Sequence, residues 1–169
     1  IYTGWDDPRV PTVRAMRCRG IRPEALRKFM IDLGVGETDI SLSMDSIYAE
    51  NRKLVDPEAN RRFFVWEPVA LEIEGDVPPL ARAPLHPTDD RGFREIPVGK
   101  KLFICKSDLE GFRVGDNIRL KDLCNVQITS LEPARARFLG KDMGKRIKII
   151  HWAPADGVKV RVLKPDGMD

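Results

Sequence analysis

The sequence predicts an α+β fold, with a small helical region over residues 1–62 followed by an antiparallel β-barrel over residues 63–169. Apolar residues recur with a helical period before residue 62 and alternate with a period of two beyond it. The second part holds about seven short strand-like runs with no helical pattern between them. Such a series favours a barrel or sandwich over a doubly wound sheet.

Three helices are predicted in the first region because each apolar pattern lies between residues that commonly begin and end helices. The helices are bounded, in chain order, by Pro11 and Gly20, by Pro23 and Gly34, and by Ser43 and Asp56.

The strands of the second region are predicted from alternating runs bounded by turn residues. These runs cover residues 69–73, 101–105, 118–123, 126–130, 135–138, 146–152 and 158–163. The proline-rich passage from Asp76 to Pro97 is predicted to be irregular.

Composition excludes several classes of protein. The chain has 169 residues and a net charge of +3, and no apolar run exceeds four residues. A membrane helix needs about 20 apolar residues, so a membrane span is excluded.

Three widely spaced cysteines indicate free thiols and a cytoplasmic protein rather than a zinc site or a disulfide framework. The chain begins at Ile1 without a methionine, so we expect neither end to be a natural one.

The residues that most often perform catalysis lie in unpromising contexts. His151 ends a strand, where a histidine serves either as a structural hydrogen-bonding residue or as a general base. His86 lies between prolines, and the pairs Asp6-Asp7 and Asp89-Asp90 lie in turn-like sequence, where acids cap turns more often than they catalyse. We therefore predict no catalytic residue and no bound metal in this chain.

Positive charge is clustered despite the small net charge. Residues 11–28 alone carry +5, and Arg14 and Arg17 share one face of the first helix. This face is suited to a row of phosphates, although a solvated helix surface would look the same. Further groups are Arg119 with Lys121 on one predicted strand, and Lys141, Lys145, Arg146 and Lys148 near a turn.

A second basic group stands beside aromatic residues. Arg61 and Arg62 directly precede Phe63, Phe64 and Trp66. Single-stranded RNA bases are bound by such mixtures of ring planes and guanidinium donors. The alternative is that the rings belong to the barrel core and only one or two of them face outward.

Several motifs, taken in order, resemble the glutamyl- and glutaminyl-tRNA synthetase family over nearly the whole chain. The likeness is greatest to the archaeal and eukaryotic type of glutamyl-tRNA synthetase. The motifs are Gly4-Trp5-Asp6-Asp7-Pro8-Arg9, Arg17-Cys18-Arg19-Gly20, Pro23-Glu24-Ala25-Leu26, Asn51-Arg52-Lys53-Leu54-Val55-Asp56-Pro57 and Ile150-His151-Trp152.

The resemblance implies a helical stem-contact region followed by the proximal anticodon-binding barrel, with the barrel incomplete. The family's H-x-G-H and K-M-S-K-S-like catalytic signatures are absent, so the chain alone is expected to be inactive and to hold no cofactor. The parent enzyme would be a cytoplasmic monomer that attaches glutamate to tRNA(Glu) with ATP and Mg²⁺. Recognition of tRNA(Gln) stays open.

The resemblance also implies residue roles. It places Arg14, Arg17 and Arg19 toward the inner side of the tRNA, and Arg119 and Lys121 toward the anticodon loop. Arg61 resembles a residue that reads a base or binds a loop phosphate, and Arg62 shares this role because the register is uncertain by one. Trp5, Asp6, Asp7 and Pro8 are expected to be architectural.

Three alternatives remain open at this point. The chain could be the equivalent part of a glutaminyl-tRNA synthetase, or a stand-alone β-barrel that binds ribosomal RNA. It could also be an enzyme complete in itself, which ATP–pyrophosphate exchange by the purified chain would reveal.

Overall fold

The computed structural model describes residues 2–36, 43–142 and 147–163. The chain divides into two compact units, one holding the residues up to Ala59 together with those from Val160, and the other holding Asn60–Lys159. We call them the helical unit and the barrel unit. No helix in the described ranges is long and apolar enough to cross a membrane.

The helical unit contains the three predicted helices. They are α1 (Val13–Cys18), α2 (Pro23–Leu33) and α3 (Met44–Val55). Thr12 caps α1 by accepting a hydrogen bond from the Ala15 amide at 3.0 Å, and Ser43 caps α3 by accepting one from Asp45 at 3.2 Å. Gly20 follows α1 with φ of +79°, a conformation that a side chain would strain.

Among its described residues, the barrel unit contains nine strands and one short helix. In chain order they are β1 (Pro68–Glu74), β2 (Leu80–Pro84), β3 (Phe93–Pro97), β4 (Lys101–Cys105), α4 (Lys106–Glu110), β5 (Asn117–Leu120), β6 (Cys124–Leu131), β7 (Ala134–Gly140), β8 (Lys148–Ile150) and β9 (Trp152–Pro154). Seven strands form one sheet in the order β8-β5-β6-β7-β1-β4-β9, and β2 pairs with β3 in a separate hairpin.

One extended segment joins the two edges of the large sheet. β8 pairs with β5, β9 pairs with β4, and only His151 separates β8 from β9. The sheet therefore curves into a nearly closed barrel, with the chain crossing from one edge to the other at His151.

The predicted α+β class with an incomplete barrel is confirmed. The sheet is mixed rather than purely antiparallel, because β1 pairs in parallel with β7 and β5 in parallel with β8. These pairings join strands that are distant in the chain, and alternation within a single strand carries no information about its partner's direction.

A continuous apolar core fills the barrel unit. Leu71, Leu102, Ile104 and Trp152 are among its largest fully buried side chains. The Trp152 indole nitrogen donates to the Lys121 carbonyl at 2.9 Å, so the closing segment is attached by a hydrogen bond as well as by packing.

The passage from Asp76 to Pro97 contains the β2–β3 hairpin, so its prediction as irregular was wrong. The prolines of the two hairpin strands occupy the ends of the ladder, where Pro84 pairs with Phe93 and Leu80 with Pro97. The buried positions between them include Ala81 and Ala83, which give a weak hydrophobic signal.

Two other local predictions were wrong. Helix α4 was not predicted, since five residues are too few for a periodic signal. Residues 158–163 form no strand, and their valines are exposed. The aromatic residues before Pro68 lie outside any strand, because β1 begins only at Pro68, after Glu67 adopts a φ of +44°. Of the strand predicted over residues 146–152, Arg146 lies outside the described residues, and so does Lys145.

Candidate nucleic-acid interface

The segment between Asn60 and Glu67 leads into the barrel and presents basic and aromatic side chains together. The Arg61 amide donates to the Leu85 carbonyl at 2.7 Å, which fixes the segment against the end of β2. The side chains of Arg61 and Arg62 are both exposed. The segment therefore offers guanidinium groups from a held backbone rather than from a loose loop.

The three aromatic rings of this segment divide into two sets. Phe63 packs against the barrel core, whereas Phe64 and Trp66 are 44% and 55% exposed with centroids 6.2 Å apart. The Trp66 amide also donates to the Cys105 sulfur at 3.3 Å. Two adjacent exposed rings are a suitable platform for stacked bases.

The inward ring, Phe63, is the centre of a cationic cluster that sequence reasoning did not predict. His151 stacks on it with centroids 5.4 Å apart. The Arg94 Cζ lies 4.4 Å from the ring centroid, and the Lys121 Nζ lies 6.0 Å from it. We call Phe63, Arg94, Lys121 and His151 the Phe63 cluster.

Arg94 is the least satisfied member of this cluster. Its Nε and Nη2 atoms are buried and have no hydrogen-bond partner among the described residues. Burial lowers the pKa of Arg94, the nearby Arg62 lowers it further, and only Asp122 opposes them. Arg94 was missed because it lies in the passage predicted to be irregular, although Phe93-Arg94-Glu95-Ile96 does alternate.

His151 serves as a stacking partner in this arrangement. Burial against the ring lowers the pKa of its imidazole, as do Lys121 and Arg94, while Asp108 and Asp122 raise it. A neutral imidazole packed on a phenyl ring at a chain crossing fits the structural alternative that the sequence left open.

The structure separates Arg119 from Lys121, which were predicted to share a strand face. Lys121 lies beyond the end of β5 and belongs to the Phe63 cluster. The Arg119 Nη1 donates to Asn125 Oδ1 at 2.9 Å and to the Lys141 carbonyl at 3.2 Å. Arg119 therefore holds the turn that follows β7, whereas Lys121 is directed to the cluster around Phe63.

The three predicted arginines of the helical unit fall into two groups, according to whether their side chains are exposed or hydrogen-bonded within the unit. Arg14 and Arg17 are exposed on α1 and line a shallow depression with Asp6 and Cys18. The Arg19 Nε donates to the Pro8 carbonyl at 2.5 Å, and its Nη1 donates to the Tyr48 hydroxyl at 3.2 Å. Arg14 and Arg17 present charge outward, while Arg19 holds the preceding loop.

Asp7 organises that loop. Its buried carboxylate accepts hydrogen bonds from the Thr3 amide at 3.0 Å, the Arg9 amide at 3.0 Å and the Arg9 Nη2 at 2.6 Å. The Arg9 side chain, aided by the backbone amides, holds the pKa of this carboxyl well below its usual range. A carboxylate held in this way stays ionised, which suits a structural role better than acid–base catalysis.

Comparison with known proteins identifies the relatives of this chain. The family model for the anticodon-binding domain of class I (E and Q) tRNA synthetases matches residues 59–138. The glutamate–tRNA ligase of Methanothrix thermoacetophila is 65% identical over 99% of this chain and 30% of its own length. Those of Methanosarcina barkeri and Pyrococcus abyssi are 58% and 44% identical over 98% of this chain. The chain thus spans 30% of the length of these relatives.

Proposed function

The chain belongs to the class I (E and Q) tRNA synthetase family through its anticodon-binding domain, and on this premise we propose that it is the tRNA-recognising part of a glutamate–tRNA ligase. The whole enzyme would attach glutamate to tRNA(Glu) in the cytoplasm as a monomer. The whole enzyme would use ATP and Mg²⁺ for this reaction.

The observation that carries this proposal is the pairing of exposed rings with guanidinium groups at the barrel entry. Phe64 and Trp66 offer flat surfaces, and Arg61 and Arg62 offer charge and forked donors beside them in the chain. An unpaired anticodon loop presents both bases that stack and phosphates that attract cations. This segment lies inside the range matched by the anticodon-binding family model.

The exposure and the hydrogen bonds of these side chains support the following individual roles. Arg61 and Arg62 contact the anticodon loop, and Lys121 supports them from the Phe63 cluster. Arg14 and Arg17 contact phosphates on the inner side of the tRNA. Arg19 and Arg119 act indirectly, since their donors hold the Trp5–Val10 loop and the turn after β7.

The relatives favour glutamate over glutamine as the amino acid of the whole enzyme, because those compared are named glutamate–tRNA ligases. The ribosomal-RNA alternative is not favoured, since it accounts for none of the similarity in the helical unit.

A titration of the 169-residue chain with a tRNA(Glu) transcript at several salt concentrations tests the proposal. We expect the logarithm of the affinity to fall with the logarithm of salt concentration, with a slope of about 0.7–0.9 per phosphate contacted. Arg61→Ala should weaken binding by about 1–3 kcal/mol. Arg135→Ala is the matched control, because Arg135 is an exposed arginine that faces Glu72 at 3.7 Å.

Absence of binding above that of an unrelated RNA at low salt would contradict the proposal. Equal weakening by Arg61→Ala and Arg135→Ala would contradict the role given to the barrel entry while leaving tRNA binding itself intact.

A further inference from the structure

We propose that Arg94 binds one backbone phosphate of the RNA through its Nε and Nη2 atoms, with Phe63 serving as the support that holds the guanidinium in place. The inference rests on the proposed function, since it requires that the barrel unit bind tRNA. It adds a phosphate site at a residue outside the basic groups visible in the sequence.

The support is geometric. The Arg94 Cζ lies 4.4 Å from the centroid of Phe63, which is itself packed between the core and the stacked imidazole of His151 at 5.4 Å. Arg94 is carried by β3, where it pairs opposite Ala83. A guanidinium that lies on a packed ring, and whose backbone is fixed by strand pairing, loses little freedom when it binds a ligand.

The unused donors define the ligand. Nε and Nη2 form the side edge of the guanidinium, where two N–H groups point in parallel and match two oxygens of a phosphate. Both atoms are buried without a partner among the described residues. Buried donors of this kind are costly until an acceptor reaches them. Because Arg94 as a whole residue is only half-buried, a ligand that supplies two oxygens can approach and satisfy both donors.

The surrounding charge selects an anion. Arg62 and Lys121 add positive charge near Arg94, and Asp122 is the one carboxylate that acts on the guanidinium within the described ranges. Asp122 belongs to the turn after β5 and has φ of +57°, and its own buried Oδ2 accepts no hydrogen bond from the described residues. The cluster is therefore positive overall, which favours a phosphate over a neutral base edge.

Three variants of the full chain test the site. Arg94→Gln removes both the charge and the fork, and Arg94→Lys keeps the charge without the fork. Arg82→Gln is the matched control, because Arg82 lies on the same hairpin and stacks on Phe93 at 4.1 Å but is exposed. Each is titrated with the tRNA(Glu) transcript over a range of KCl concentrations.

We expect Arg94→Gln to weaken binding by about tenfold or more at low salt and to reduce the salt slope by about 0.7–0.9, the value of one phosphate. Arg94→Lys should weaken binding while keeping most of the slope. Arg82→Gln should change neither. In the unmodified chain, the Arg94 Nε–H signal in a nitrogen–proton NMR spectrum should shift and exchange more slowly when RNA is added.

The inference is overturned if the unmodified chain binds tRNA with a salt slope and Arg94→Gln leaves both affinity and slope unchanged, a result that would not affect the proposed function. It is also overturned if the loss depends on the identity of one loop base, since that would indicate base reading. If the unmodified chain binds no tRNA, the proposed function and this inference fail together. Should Arg94→Gln unfold, the lysine variant and the Nε–H signal decide the question.

Discussion

The barrel unit and the helical unit are each stabilised internally in a different way. The barrel unit has a continuous apolar core that includes Trp152, Leu71 of β1 and Leu102 of β4. Among its described residues, the helical unit buries only four apolar side chains, namely Ala15, Ile21, Ala25 and Ile47. Polar contacts supplement this small core, because Asn51 holds the α1–α2 turn while Asp7 and Arg19 hold the loop before α1. The barrel can thus present residues on a rigid frame, whereas the arrangement of the helical unit depends on a few hydrogen bonds.

The largest effect on stability is expected from the loss of Trp152, the buried tryptophan of β9. Trp152→Ala removes a fully buried indole and its hydrogen bond to the Lys121 carbonyl, and should lower the free energy of unfolding of the barrel unit by about 3–5 kcal/mol. Urea denaturation followed by circular dichroism measures this loss. Hydrogen exchange of the α1–α3 amides should stay unchanged. A matching loss of amide protection in these helices would show that the two units do not unfold separately.

A single polar side chain should matter in the helical unit. Asn51 on α3 accepts from the Arg22 amide at 2.8 Å and donates to the Gly20 carbonyl at 3.1 Å. Asn51→Ala should destabilise the packing of α3 on the α1–α2 turn by about 1–2 kcal/mol. Hydrogen exchange should speed up in α1–α3 and not in β1–β7, with Asn60→Ala as the control. Unchanged exchange in the helices would contradict the dependence on polar contacts.

Acid should loosen the helical unit before the barrel. The folded-state pKa of Asp7 is depressed, so the stability it contributes is present above the unfolded pKa of about 3.9 and is lost as pH falls below it. NMR spectra recorded from pH 6 to pH 2 should show the helical unit unfolding at a higher pH than the barrel unit, because below a pH of about 3.9 the unfolded chain protonates Asp7 while the folded carboxyl resists protonation. In Asp7→Asn this acid transition should be absent. Its persistence would assign the transition to another carboxyl.

A smaller pH effect is expected in the barrel. The pKa of His151 is lowered by burial and by Lys121 and Arg94, against Asp108 and Asp122. The unfolded chain therefore takes up a proton near pH 6.5 that the folded chain resists, so stability falls as pH drops through that value. Thermal unfolding at pH 8 and pH 5.5 should differ less in His151→Gln than in the unmodified chain. An equal difference between pH 8 and pH 5.5 in both proteins would show that His151 is not the source of the pH effect.

The smallest effect concerns the thiols. Burial raises the pKa of Cys124 to about 11, whereas Cys18 in the helical unit is exposed. A thiol reagent at pH 8 should modify Cys18 quickly and Cys124 only at the rate of barrel unfolding. Mass spectrometry of timed samples distinguishes the two sites, and rapid labelling of Cys124 would show that the core opens readily.

The sequence predicts the parts of the fold that depend on neighbouring residues. Helices α2 and α3 are bounded by residues such as Pro23 and Ser43, whose preferences act within one turn. The closing of the barrel at His151 depends on pairing with β4 and β5, which lie far away in the chain and leave no local pattern. The hairpin was missed because its buried positions include alanines among prolines.

The same distinction applies to the candidate interface. Arg61 and Arg62 stand out because aromatic residues follow them directly. Arg94 and Lys121 come together only because β3 and the turn after β5 meet at Phe63, so no spacing in the sequence indicates the cluster. Conversely, Arg19 and Arg119 have the charge expected of RNA-binding residues, but the structure uses their donors to hold backbone carbonyls.

Binding of two RNAs to the same chain tests most directly whether the barrel unit recognises the anticodon loop. One RNA is the tRNA(Glu) transcript, and the other is its anticodon stem-loop alone. We predict that the stem-loop binds, that Arg61→Ala weakens both complexes about equally, and that Arg14→Ala weakens only the complex with the whole tRNA. A stem-loop that does not bind, or that binds Arg61→Ala as tightly as the unmodified chain, would contradict the central claim.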